Sequence, residues 1–109
     1  MLPYFRSSRG RPTYSLARIQ DAIQAGHYWI TRKAGRDAAA LELDEEDVKS
    51  CVLNLKRCHF FKTMLSEKRP GLSQDVYRCR YAGISIYTKL QMGYRSEAVV
   101  ISFKRDESG

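Results

Sequence analysis

From His59 to Lys104 apolar and polar residues alternate, and that period of two confines the second half of the chain to β-structure. Residues 59–65, 75–82 and 84–90 each read as a strand, with a polar loop around Pro70 and Gly71 and a turn at Gly83 between them. Ile84, Ile86 and Leu90 point one way, Ser85, Tyr87 and Lys89 the other. After a loop over residues 91–96 around Gly93, Val99, Ile101 and Phe103 are expected on the apolar side of a last strand, with Ser102 and Lys104 opposite. The polar side is strongly cationic. Lys62, Arg78, Arg80, Lys89 and Lys104 recur on it, interleaved with Gln74, Tyr77 and Tyr87. Like charges side by side repel, so such a face expects an anion.

The first half keeps a different period. Ser15 reads as an N-cap, Leu16, Ile19 and Ile23 recur at helical spacing, and Gly26 supplies the stop. Residues 27–31 are aromatic and β-branched and read as a short strand, while residues 31–41 are alanine-rich enough for a short helix despite Gly35. Asp44 caps a further helix, with Glu45, Glu46 and Asp47 in its first turn and Val48, Cys51, Val52 and Leu55 as its apolar stripe. The acidic run over residues 42–47 is thus helix-start chemistry. Helices first and hairpin-linked strands after them predict an α+β fold, N-terminal helices packed on a C-terminal antiparallel sheet. At 109 residues and 43% hydrophobic the chain is expected to be one domain, 1–109, with a mobile basic arm over residues 1–13.

A net charge of +7 favours a phosphate-bearing partner, and the commonest polyanion is nucleic acid. The three cysteines, Cys51, Cys58 and Cys79, are odd in number and irregularly spaced, which argues for a reducing cytosol. Residues 1–6 lack a signal peptide's apolar core, and the apolar run 98–101 is far too short for a bilayer, so a soluble cytoplasmic protein without membrane contact is expected. Cys58-His59 has no second ligand pair, so no metal site is expected, and no glycine-rich loop offers a phosphate cradle. No cofactor is expected. His27, His59 and Cys79 read as structural. Tyr28, Trp29 and Tyr77 are rings that can stack unpaired bases, although Trp29 is expected in the core.

Several short pieces occur in an order that resembles the MqsR family, ribosome-independent mRNA interferase toxins with a RelE-like fold. They are Leu16 with Ala25-Gly26, Thr31-Arg32, Phe61-Lys62 with Met64, Gln74-Asp75-Val76-Tyr77-Arg78 with Arg80, Tyr87 with Lys89, and Val100-Ile101-Ser102-Phe103-Lys104. The resemblance implies Lys62, Gln74, Tyr87 and Lys104 as catalytic residues, positions that strand alternation had already brought forward. Arg78, Arg80, Lys89 and Tyr77 are the expected contacts to substrate RNA. Cys79 stands where the family typically has proline, the loop around Gly93 is slightly longer, and the N-terminal arm is extended. The function implied is metal-independent cleavage of single-stranded mRNA at a short GC-containing sequence, by attack of a 2′-hydroxyl on the adjacent phosphate. Such a toxin causes growth arrest and is held inactive by a cognate antitoxin, with DNA reached only through the antitoxin complex. The alternative is a non-catalytic RNA-binding module on the same scaffold. A DNA-binding regulator is disfavoured because no helix-turn-helix is evident.

Overall fold

In the computed structural model, residues 10–66 and 68–107 are described. Ser15 caps α1 (Leu16–Gln24) by accepting the Arg18 N–H, and Gly26, at φ +80°, takes the left-handed conformation that ends it. β1 (Tyr28–Ile30) leads into α2 (Arg32–Ala39), capped by Thr31. Asp44 and Asp47 exchange side chain-to-backbone hydrogen bonds as a capping box at the start of α3 (Glu45–Leu53). A single 3₁₀ turn, Arg57–His59, precedes β2 (Phe60–Leu65), β3 (Ser73–Tyr81), β4 (Ile84–Met92) and β5 (Ala98–Arg105).

The five strands form one sheet in the order β1-β5-β4-β3-β2. The last four pair antiparallel, as alternation predicts, but β1 runs parallel to β5 and makes the sheet mixed. No hairpin links β1 to β5, so connection length did not dictate their relative direction. The helices cover one face. Ile19, Ile23, Val48 and Val52 pack there against Tyr77, Ile86, Leu90, Val100 and Phe103, with each large apolar side chain contributing about 1.5–3 kcal/mol by burial. Among the described residues no helix covers the opposite face, and none is long and apolar enough to cross a membrane.

Two β-bulges break the alternation. Phe60 pairs with Tyr77 but Lys62 with Val76, so Phe61 is an extra residue in β2. Leu90 pairs with Val100 but Lys89 with Ser102, which makes Ile101 the extra residue in β5. The expected apolar side of β5 is corrected accordingly: Val100 and Phe103 face the helices, while Val99, Ile101, Ser102 and Lys104 lie on the uncovered face. A one-residue insertion reverses the parity of everything beyond it. The backbone groups around the second bulge are satisfied from α2 and its cap: the Thr31 hydroxyl donates to the Ile101 carbonyl (2.9 Å) and the Phe103 N–H donates to Asp37 (3.1 Å).

Of the expected mobile arm, residues 1–9 lie outside the described residues. Its last residue is anchored, since the N–H groups of Thr13 and Tyr14 donate to Asp75 at 2.9 and 2.8 Å.

Candidate active site

Side chains that face each other across antiparallel strands share a face, so the register sets out the uncovered surface in rows. Arg78, Tyr87 and Lys104 are direct neighbours across β3, β4 and β5. The next row runs Lys62, Val76, Lys89, Ser102 from β2 to β5. A third runs Met64, Gln74, Gln91, Val99 and, on β1, Trp29. Lys62, Gln74, Tyr87 and Lys104 therefore come from four different strands to one face.

Contacts join the rows into a patch. The Arg78 guanidinium lies 4.5 Å from the centre of the Phe61 ring and the Lys62 ammonium 5.4 Å from it, so one aromatic ring serves two cations. Lys104 sits 5.4 Å from the centre of the Tyr87 ring. The Tyr87 hydroxyl reaches across β3 to the Met64 sulfur at 3.8 Å, beside Gln74. Burial, then the charge of Asp106, pushes the Tyr87 phenol above its ordinary range against the opposing pull of Arg78, so at neutral pH the hydroxyl keeps its proton. It can donate that proton and does not carry charge of its own.

Both lysines owe their position to the bulges. Without Phe61 as an extra residue Lys62 would pair with Asp75, and without Ile101 Lys104 would pair with Ile86; both partners are fully buried under the helices. The two ammonium groups would then turn toward the core, where an unpaired charge is prohibitive. Bulges that re-aim a side chain are a common device at functional sites.

Gln74 is 9% exposed, and its amide meets Gln91 only at 3.5 Å, the outer limit for a hydrogen bond. Arg78 is held through Nε by Asp106 at 2.7 Å, a charge-assisted bond that orients the guanidinium. Asp106 and Phe61 are the site residues that sequence reasoning missed. Asp106 follows the alternating stretch, where no pattern marks it, and Phe61 is marked in the sequence only by its place beside Lys62. Lys89 lies on the same face as the group. Arg80 does not join it. Its guanidinium folds back on the β3–β4 turn, donating to the Gly83 carbonyl at 2.9 Å and the Ser85 hydroxyl at 3.3 Å.

Tyr77 departs from expectation. It is fully buried on the helix side, edge-on to Phe60 at 5.6 Å between ring centres, and out of reach of any base. Asp75, Tyr77 and Cys79 alternate with Gln74, Val76 and Arg78, and strand parity alone sends them inward. Trp29 departs the other way: expected in the core, it is 64% exposed. The Tyr28 hydroxyl donates to Glu45 of α3 and is committed there. His59 has a backbone role, its Nδ1 accepting the Lys56 N–H at 2.9 Å, and His27 bonds the Arg95 carbonyl at 2.8 Å. Among the described residues no group of three or more His, Cys, Asp or Glu is placed to hold a metal ion.

A basic α+β domain whose uncovered sheet face gathers ammonium groups, a guanidinium, a phenol and an amide from separate strands defines a class of protein complementary to a polyanion. More particularly, the chain belongs to the family described as motility quorum-sensing regulator, toxin of MqsA, whose family model matches residues 11–105. It is 28% identical over 93 residues to the mRNA interferase toxin MqsR of Escherichia coli (strain K12), an alignment covering 85% of this chain and 93% of that protein.

Proposed function

We propose that this protein is an endoribonuclease that cuts single-stranded mRNA in the cytoplasm, at a preferred short sequence and without ribosome or metal. It acts as the toxin of a toxin–antitoxin pair, on a scaffold of the RelE type, and is silenced by a cognate antitoxin. The observation that carries the reading is the contiguous group formed by Lys62, Phe61, Arg78, Tyr87 and Lys104 on one open face. The name of the Escherichia coli relative supports it.

The reaction asks little covalent chemistry of the protein. The substrate's own 2′-oxygen attacks the adjacent phosphorus as its proton passes to a base, and the P–O5′ bond breaks. The 5′-oxygen takes up a proton, leaving a 2′,3′-cyclic phosphate on one fragment and a 5′-hydroxyl on the other. Lys62, Arg78 and Lys104 stabilise the charge that builds on the phosphorane oxygens, an effect typically worth about 3–4 kcal/mol per lost donor. Gln74 aligns the 2′-oxygen for in-line attack. Tyr87, a phenol that is protonated at neutral pH and that burial holds further in that state, supplies the proton to the leaving oxygen.

The test uses purified protein and a defined single-stranded RNA in excess EDTA. Wild type should yield fragments ending in 2′,3′-cyclic phosphate, and Lys62→Ala and Tyr87→Phe should each slow cleavage about 10- to 1,000-fold. Unchanged rates in both variants would show that the site lies elsewhere. RNA that is retarded but intact would replace the enzyme by a binding module.

A further inference from the structure

Beside the group assigned to cleavage lies a cleft whose lining, Gln74 aside, takes no part in the phosphate chemistry. It has a volume of about 930 Å³ and opens over the row that holds Gln74, Gln91 and Val99. The connection between β2 and β3, with Lys68 and Arg69, forms one side of it; Trp29 and the β4–β5 turn, with Tyr94 and Arg95, form the other. Trp29 is 64% exposed and Tyr94 is 91% exposed. Two large rings standing in water beside one cleft have no packing role to explain them.

The charge of the lining is one-sided. Lys68, Arg69, Lys89 and Arg95 line the cleft together with Lys33, whose ammonium pairs with Asp37, and Glu97 is the one acidic residue among the described residues that line it. The Glu97 carboxylate is drawn into the turn itself, where it accepts the Arg95 N–H at 2.9 Å. On the floor, Ser102 is 2% exposed and its hydroxyl has no hydrogen-bond partner within the protein. Beside it the Gln74 and Gln91 amides meet at only 3.5 Å. Buried polar groups so poorly satisfied are costly unless something else completes them.

We propose that this cleft seats the unpaired bases next to the cut, stacked on Trp29 and Tyr94, with Ser102 and Gln91 reading their edges. Sequence preference is set there. Exposed rings, cations and half-satisfied polar groups together match the flat faces, phosphates and hydrogen-bonding edges of single-stranded RNA. Lys89 and Gln74 belong to both the cleft and the group beside it, so one strand of RNA runs continuously through the two. The proposal rests on the nuclease reading and assigns its specificity.

Trp29 is the sole tryptophan, so its fluorescence reports the cleft directly. The probe is an eight-nucleotide single-stranded RNA carrying 2′-O-methyl groups throughout, which binds but supplies no attacking hydroxyl. Titration should shift Trp29 emission to saturation. By polarisation of the labelled oligonucleotide, Trp29→Ala and Tyr94→Ala should each weaken binding about 5- to 100-fold, the span of base–aromatic stacking, while Trp29→Phe retains most of it. Cut sites on a randomised RNA pool should broaden in both alanine variants. Wild-type affinity and cut-site distribution in both, with wild type cutting RNA, would overturn the cleft and leave the nuclease reading standing. A wild type that neither cuts nor binds RNA would overturn the nuclease reading itself.

Discussion

Asp75 shows how a residue inside a functional stretch can serve the fold alone. Fully buried between Gln74 and Val76, it accepts hydrogen bonds from the N–H groups of Thr13 and Tyr14 and from the Thr63 hydroxyl (2.8 Å), tying the N-terminal segment and β2 to β3. Asp75→Ala should cost about 3 kcal/mol in urea unfolding, because three donors lose a charged acceptor. A loss below about 1 kcal/mol would mean that water replaces it freely. Tyr77 is the converse, a phenol buried without a hydrogen-bond partner within the protein. Tyr77→Phe should leave stability unchanged or raise it by up to about 1 kcal/mol. Burial first, then Asp75, pushes the Tyr77 phenol up to about 12 against the opposing charge of Arg57. A raised folded value means that its contribution is intact below the ordinary 10 and lost as pH climbs through 12. Alkaline unfolding followed by circular dichroism should therefore move to higher pH in Tyr77→Phe, and an unmoved midpoint would refute this account. Cys51 and Cys79 meet at 3.5 Å between α3 and β3, and the contact with burial raises the Cys51 thiol, so it stays protonated and inert.

Among the elements, the bulges and the segment that holds one of them matter most to the site. Thr31 caps α2 and also bonds the Ile101 carbonyl, while Asp37 in the same helix accepts the Phe103 N–H and pairs with Lys33 at 3.0 Å. α2 thus maintains the irregularity that sends Lys104 to the open face. Asp37→Ala should leave the Phe103 N–H unsatisfied, costing about 1–3 kcal/mol in denaturant unfolding. It should also lower RNA cleavage under conditions where the variant remains folded, since β5 gains freedom to slip. Full activity in a folded variant would show that the bulge holds without its clasp. At the β4–β5 turn, a Cβ on Gly93 would lie 2.2 Å from the Glu97 carboxylate. With glycine there, the Glu97 carboxylate can stay where it accepts the Arg95 N–H and braces the loop that presents Tyr94.

For the molecule as a whole, a charge of +7 sets long-range attraction while the sheet decides where it acts. If Lys62, Arg78, Lys89 and Lys104 each engage a phosphate, log binding constant against log salt for single-stranded RNA should have a slope of about −3. A slope near zero would remove phosphate contact from the account. Much of this was legible beforehand. Caps at Ser15 and Asp44, stripes such as Val48, Cys51, Val52 and Leu55, and period-two runs are local signals, so helices, four antiparallel strands and a cationic face follow from neighbours in the chain. Two lysines reached the right face although bulges had broken the alternation on which they were read. Local pattern carries no information on a bulge, on the parallel partner of β1, or on Trp29 at a sheet edge, because each depends on residues tens of positions away. The amino-acid order alone determined which residue types were available to meet a phosphate. Only three-dimensional packing decided that Lys62 and Lys104 turn outward and Tyr77 inward, because a side chain's face is settled by pairing register and register by the whole sheet.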